Sequence, residues 1–148
     1  MIKYRINSKA DIAKQFMRAI PFSTELSMSL DLIENGFATI SMPYDERFVG
    51  DLSTGILHGG AVSSLLDTCG GAAVMCHPAV PEITATLDFR IDYMRPATPN
   101  HRITAKAECY HVTRSVAFVR ATAYDEDENR PVATATGTFI VQNISDNK

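Results

Sequence analysis

No run of apolar residues in this sequence is long enough to cross a bilayer. The first twenty residues, MIKYRINSKADIAKQFMRAI, lack the continuous apolar core of a secretory signal. A basic excess is also missing. Lys and Arg number 14 against 17 Asp and Glu, a net charge of -3, which excludes a general nucleic-acid binder but leaves room for one local basic pocket. Cysteine is scarce: Cys69, Cys76 and Cys109 are odd in number and form no C-x-x-C, so neither a disulfide framework nor a zinc knuckle is expected. His101 and His111 show no ligand spacing with each other or with Cys109, and no metal is expected. These absences predict a protein of the reducing cytoplasm with no membrane or nucleic-acid partner. Internal repeats, low-complexity segments and linker-like breaks are missing too. What remains, 148 residues with 45% hydrophobic and 21% charged side chains, reads as one domain spanning 1–148.

The pattern along the chain is α+β. Residues 8–20 read as an amphipathic helix capped by Ser8, with Ile12, Phe16 and Ile20 every fourth position and Pro21 as its end. Leu26, Met28, Leu30 and Leu32 alternate with polar residues as in a strand. Asn35-Gly36 predicts a tight turn, and FATISM returns as the partner strand. Residues 43–57 read as a loop. A long helix follows, from about His58 to Cys76, closed by HPAVPE. Then come four strand-like stretches, the first alternating through Leu87, Phe89, Ile91 and Tyr93, with DEDENRP as the turn between the last two. The tail 143–148 is expected to fray. The sum is a sheet of five or six antiparallel strands packed on one long helix.

That helix carries the chemistry. It is apolar nearly all round, so little of it is expected to face water. Glycines recur along it, at a cost of about 1 kcal/mol each, which close backbone contact with a curved sheet would offset. Its one charged side chain is Asp67. A buried carboxylate is costly, so its presence asks for a function. Gly59 and Gly60, at the positive end of the helix dipole, expose N–H groups suited to an anion or a developing oxyanion. Asp67 lies eight residues beyond Gly59, roughly 12 Å along the axis. One helix cannot aim both at one small substrate atom, whereas two antiparallel copies related by a two-fold axis can.

The loop-helix signature G-x-x-H-G-G-(x)5-L-D, Gly55 to Asp67, together with TATLDFRIDYMRPA and VATATGTFIV, resembles the hotdog-fold acyl-CoA thioesterases of the PaaI-like branch, related to 4-hydroxybenzoyl-CoA thioesterase. The resemblance covers about residues 25–142, in the right order. It implies a hotdog fold, a curved antiparallel sheet wrapped around the central helix, in an obligate homodimer that commonly pairs into a homotetramer. It implies hydrolysis of an acyl-CoA thioester to a free acid and CoA, with no cofactor. The family's catalytic carboxylate falls on Asp67, and the N–H that polarises the thioester carbonyl falls on Gly59. His58 precedes it, and Thr86 is the hydroxyl that helps place the carboxylate or water. Asp67 is then a general base on water or a nucleophile forming a mixed anhydride. The family's loop Asn is absent. Asp51 and Leu52 occupy that place, and an ionised Asp accepts hydrogen bonds but cannot donate one.

Around this site, Gly60, Leu66, Gly70, Phe48 and Val49 are candidate substrate-pocket residues, and Arg95 and Arg114, at strand ends, are candidates for CoA phosphates. His58 reads as a hydrogen-bonding residue that fixes the loop, because nine helical steps place it opposite Asp67. Cys76 reads as a buried structural thiol. Two other functions stay open at this point: a non-catalytic acyl-ligand binder, and a hydratase or dehydratase of the same fold, for which the usual Asp–His motif is not found.

Overall fold

A computed structural model describes residues 11, 15, 17–80 and 83–142. Most of the expected first helix, including Ser8, Ile12 and Phe16, lies outside the described residues, as does the tail 143–148; residues 17–19 are helical. Pro21 does not simply end this segment. It opens a second short helix, α1 (Pro21–Glu25), where a missing N–H costs nothing and the fixed φ favours the first turn.

The strands follow as β1 (Ser29–Glu34), β2 (Phe37–Met42), β3 (Val49–Asp51) and β4 (Ile56–Leu57). The central helix α2 spans Gly59–Met75, and β5 (Ile83–Tyr93), β6 (Ile103–Val112), β7 (Val116–Tyr124) and β8 (Ala133–Gln142) complete the chain. Six strands form one antiparallel sheet in the order β1-β2-β6-β7-β8-β5. Asn35 (φ 44°) and Gly36 (φ 89°) make the two-residue turn between β1 and β2, both in the left-handed region that such hairpins require.

Three details differ from the sequence reading. Leu26 caps α1 rather than entering a strand, and a bulge between Leu30 and Leu32 turns Leu30 and Ile33 inward while Leu32 stays exposed. A second bulge, between Thr86 and Asp88, likewise leaves Leu87 exposed on β5. The stretch 43–57 is not a plain loop: it holds a 3-10 turn at Glu46–Phe48 and the small β3–β4 hairpin.

The sheet curls around α2 because its inner face is mostly small. Ala105, Ala107, Ala117, Ala121, Ala123, Ala133 and Ala135 are buried opposite Leu65, Leu66, Cys69, Ala72 and Ala73. Gly70 marks the tightest approach: a Cβ there would stand 3.1 Å from Phe139 Cζ. Among the described residues, no helix is long and apolar enough to cross a membrane.

Candidate active site

The face of α2 turned away from the sheet carries Gly60, Ser63, Ser64, Asp67 and Thr68, all partly exposed in the single chain. Spacings of three and four residues place them in one stripe. The helix is therefore not apolar all round, and Asp67 is half-buried rather than enclosed. Ser63 and Ser64 donate to the Gly60 carbonyl, at 3.0 and 2.7 Å, and Thr68 donates to the Ser64 carbonyl at 2.7 Å. These hydroxyls satisfy themselves on their own helix, which leaves the carboxylate as the group with chemistry to offer.

Asp67 has one partner across the fold. Thr86 Oγ1 on β5 donates to Asp67 Oδ1 at 2.7 Å, and among the described residues nothing bonds Oδ2. Both line a cavity of about 260 Å3, with Phe22, Thr84 and Phe139 among its walls. Thr86 lies on β5, one of the two end strands of the sheet.

At the N-terminus of α2, His58 is the N-cap. Its Nδ1 accepts the Gly60 N–H at 2.8 Å, and its own N–H donates to Phe48 O at 2.8 Å. His58 thus locks the loop to the helix, in keeping with its position opposite Asp67. The same bond removes Gly60 N–H from use by a substrate. The N–H of Gly59 has no acceptor among the described residues. Sequence reasoning gives no role to Tyr93, which sits here: its hydroxyl donates to Gly59 O at 2.9 Å, and its ring lies 3.4 Å from where a Cβ on Gly59 would be. The tyrosine therefore fixes the direction of the first peptide of α2. Its place in the DYMRP stretch is the only sequence signal for it.

Phe48 and Val49 line a second cavity, about 290 Å3, with Phe22, Leu26, His58 and Ala61. It is largely apolar, as a site for an aliphatic chain would be. Leu66 and Gly70 do not belong to either cavity. Leu66 is fully buried in the core, and Gly70 packs against Phe139 and Val119. The sequence reading expects both as pocket walls, but they occupy the sheet-facing side of the helix.

Asp51 also departs from expectation. Its Oδ1 accepts the Ser53 N–H (3.0 Å) and Ser53 hydroxyl (2.7 Å), and its Oδ2 accepts the Thr54 hydroxyl (2.8 Å). The Ser53 hydroxyl, then the Thr54 hydroxyl, hold this carboxyl below its ordinary range. Both oxygens serve the β3–β4 turn.

Arg95 is not available for a phosphate. Two of its N–H groups grip Asp125 at 2.7 and 2.8 Å, two donate to Arg130 O, and the fifth donates to Pro96 O. Every donor is in use, and Asp125 is almost fully buried. Arg114, in the exposed β6–β7 turn, has no hydrogen bond or ion pair among the described residues. The cysteines carry no nucleophile: burial pushes the Cys69 thiol up to about 12 and the Cys109 thiol up to about 11. Cys76 is buried with its Sγ 3.4 Å from Phe37 O. His101 is held by Glu126 at 2.7 Å and by Pro99 O.

A carboxylate held by one hydroxyl, with an open oxygen in a cavity, can take a proton from water or attack a carbonyl. An unpaired helix N-terminal N–H can receive an oxyanion. Comparisons with known proteins show what the chain as a whole is similar to. The model of the family described as Thioesterase superfamily matches residues 54–132. A protein of Salmonella typhimurium named medium/long-chain acyl-CoA thioesterase YigI is 30% identical over 143 residues, covering 88% of this chain and 91% of that protein. A crystal structure of a Pseudomonas aeruginosa protein is 36% identical and superposes with a TM-score of 0.79, covering 88% of this chain and 96% of the other. The PaaI protein of the E. coli phenylacetic acid degradation operon shares the fold at a TM-score of 0.80 and 19% identity, covering 91% and 94%.

Proposed function

Since the chain belongs to the thioesterase superfamily, we propose that it hydrolyses acyl-CoA thioesters with Asp67 as its catalytic carboxylate. The observation that carries this is the Thr86–Asp67 hydrogen bond at the mouth of a cavity, which leaves Asp67 Oδ2 open to a reactant. Hydrolysis develops negative charge on the thioester oxygen, and one fixed N–H donor for it is typically worth about 2.7–4 kcal/mol. Gly59 N–H is the donor, and Tyr93 anchors the same residue through its carbonyl.

Carboxylate and donor are roughly 12 Å apart on one helix. Each active site therefore takes Asp67 from one protomer and Gly59 from its partner, in a homodimer that pairs into a tetramer. The acyl group is a medium or long aliphatic chain, supported by the name of the Salmonella relative and by the apolar groove at Phe48 and Val49. Arg114 is the cation offered to the CoA phosphates. That the three cysteines form no disulfide among the described residues accords with a reducing, cytoplasmic setting.

The test is thiol release from a panel of acyl-CoAs of graded length, with wild type and Asp67→Asn side by side. The wild type releases CoA from medium and long acyl chains, and Asp67→Asn loses at least ~10²-fold in kcat, the lower end for a general base. Thr86 can still donate to the carbonyl of the introduced amide, so the melting temperature holds. Turnover by the Asp67→Asn variant close to wild type would remove Asp67 from the mechanism, and an active monomer by light scattering would remove the shared site.

A further inference from the structure

Two hydroxyls in the Asp67 cavity are unaccounted for. Ser23, on α1, is 2% exposed, and Thr84 Oγ1, on β5, is buried; among the described residues neither hydroxyl has a hydrogen-bond partner. Buried polar atoms without partners are rare, and each calls for an explanation. Both line the same cavity of about 260 Å3 as Asp67 and Thr86. Thr84 and Thr86 are two residues apart on a regular part of β5, so they share a face, roughly 6.6 Å apart along the strand.

A cavity of that size has room for several waters at about 30 Å3 each, and a water settles where two to four polar partners converge. Ser23, Thr84 and Asp67 line this one space, and the buried Ser23 Oγ and Thr84 Oγ1, like Asp67 Oδ2, have no hydrogen-bond partner among the described residues. The groove on the other side of Phe22, at Phe48 and Val49, has no such unpaired hydroxyl among the described residues. An apolar chain entering the Asp67 cavity would strand two hydroxyls, whereas in the Phe48 groove it strands none.

We propose that Ser23 and Thr84 are positioning residues that hold the hydrolytic water against Asp67, so that this cavity is the water site and the acyl chain takes the Phe48–Val49 groove. The inference rests on the thioesterase reading. Water oxygen forms a bond to the thioester carbon while its proton passes to Asp67 Oδ2, and the carbonyl electron pair moves to the oxygen facing Gly59 N–H. When that pair returns, the C–S bond breaks, and the departing CoA sulfur takes the proton from Asp67. The products are the carboxylic acid and the thiol.

Two measurements test it. The first needs no activity: a crystal structure at a resolution that shows solvent, for wild type and Ser23→Ala. Ordered water within hydrogen-bond distance of Ser23 Oγ and Thr84 Oγ1 is expected in the wild type, and its loss in the variant. A dry cavity, or one filled by a side chain of the partner protomer, overturns the proposal even if the protein is a thioesterase. The second is turnover of one medium-chain acyl-CoA in water containing methanol. Ser23→Ala and Thr84→Val should each lower kcat about tenfold through misplaced water, with KM unchanged and a larger fraction of methyl ester in the product. Thr84→Ser keeps the hydroxyl and should restore wild-type turnover and partition. If Ser23→Ala and Thr84→Val match wild type in kcat and partition, the assignment of water to this cavity is wrong. A wild type that releases no thiol from any acyl-CoA refutes the thioesterase reading instead.

Discussion

Thr86 Oγ1 lies 2.7 Å from Asp67 Oδ1, and this one bond joins β5, an end strand of the sheet, to the middle of the central helix. It fixes which carboxylate oxygen is engaged and which is open. A β-branched residue is well suited to the task, since its χ1 has few options.

Thr86→Val keeps the shape and removes the donor. The carboxylate then turns freely, and kcat is expected to fall about tenfold, while Thr86→Ser restores most of it. Steady-state kinetics on the two variants, with circular dichroism to show that both are folded, decides. An unchanged kcat in Thr86→Val would mean that the bond only ties β5 to α2.

Asp51→Asn is expected to leave kcat/KM within about twofold. The introduced amide carbonyl still accepts from Ser53, and its NH2 can face the Thr54 hydroxyl, which accepts as well as donates. Asp51→Ala removes all three bonds and should loosen the β3–β4 turn, read as faster proteolysis between residues 50 and 56. A large loss of kcat in Asp51→Asn with the fold intact would give the ionised carboxylate a role beyond its turn.

Much of this architecture is readable from the sequence, and the failures have definite causes. The central helix is expected from His58 to Cys76 and runs Gly59–Met75, because a cap, two glycines and a following proline punctuate it sharply. The Asp67–Thr86 pair follows from family resemblance, with strand and helix in the right order. Arg95 escapes sequence reasoning because its partner, Asp125, is 30 residues away and nothing local marks the pair. Leu66 and Gly70 mislead because in a mostly buried helix periodicity alone does not tell the sheet side from the other. The polar stripe Ser63, Ser64, Asp67, Thr68 is the available signal, and it points the other way. The β3–β4 hairpin is hidden because its turn is made by the side chain of Asp51 rather than by a glycine pair.

Acid should weaken the fold at Asp125. Arg95, with Thr98 and the Glu126 N–H, holds the Asp125 carboxyl well below the ordinary carboxylate range, against the opposing effect of burial. A depressed acid stabilises the folded state fully above its unfolded value of about 3.9 and loses that contribution as pH falls below it. Asp125→Asn leaves Arg95 half-paired and should cost roughly 3 kcal/mol at neutral pH, about 6–12 °C in melting temperature for a chain of this length. Melting curves from pH 7 down to 3 should show the gap between wild type and variant narrowing only below about pH 4. A gap that is constant with pH would assign the loss to packing rather than to charge.

Gly137→Ala should be among the most damaging single methyl additions in the sheet. A Cβ at this position on β8 would collide with Phe89 Cδ2 and stand 2.6 Å from the Asp88 carbonyl oxygen. The ring could swing, but the carbonyl belongs to the paired strand β5 and cannot. A loss of about 3 kcal/mol, the upper end for overpacking, is expected in urea unfolding. A loss below about 1 kcal/mol would show that β5 yields at its bulge.

Phe22 touches both cavities, the hydroxyl-lined one at Asp67 and the apolar one at Phe48, from an exposed position on a five-residue helix. That helix is tethered through Glu25 to Arg47 at 2.6 Å. With the hydrolytic water in one space and the acyl chain in the other, as proposed above, chain-length preference and hydrolytic rate would be coupled traits. A smaller side chain at position 22 enlarges both spaces at once, so a lineage drifting toward bulkier acyl groups alters the handling of water in the same step. Neither the sheet nor the central helix has to change for both spaces to be reshaped from this short helix.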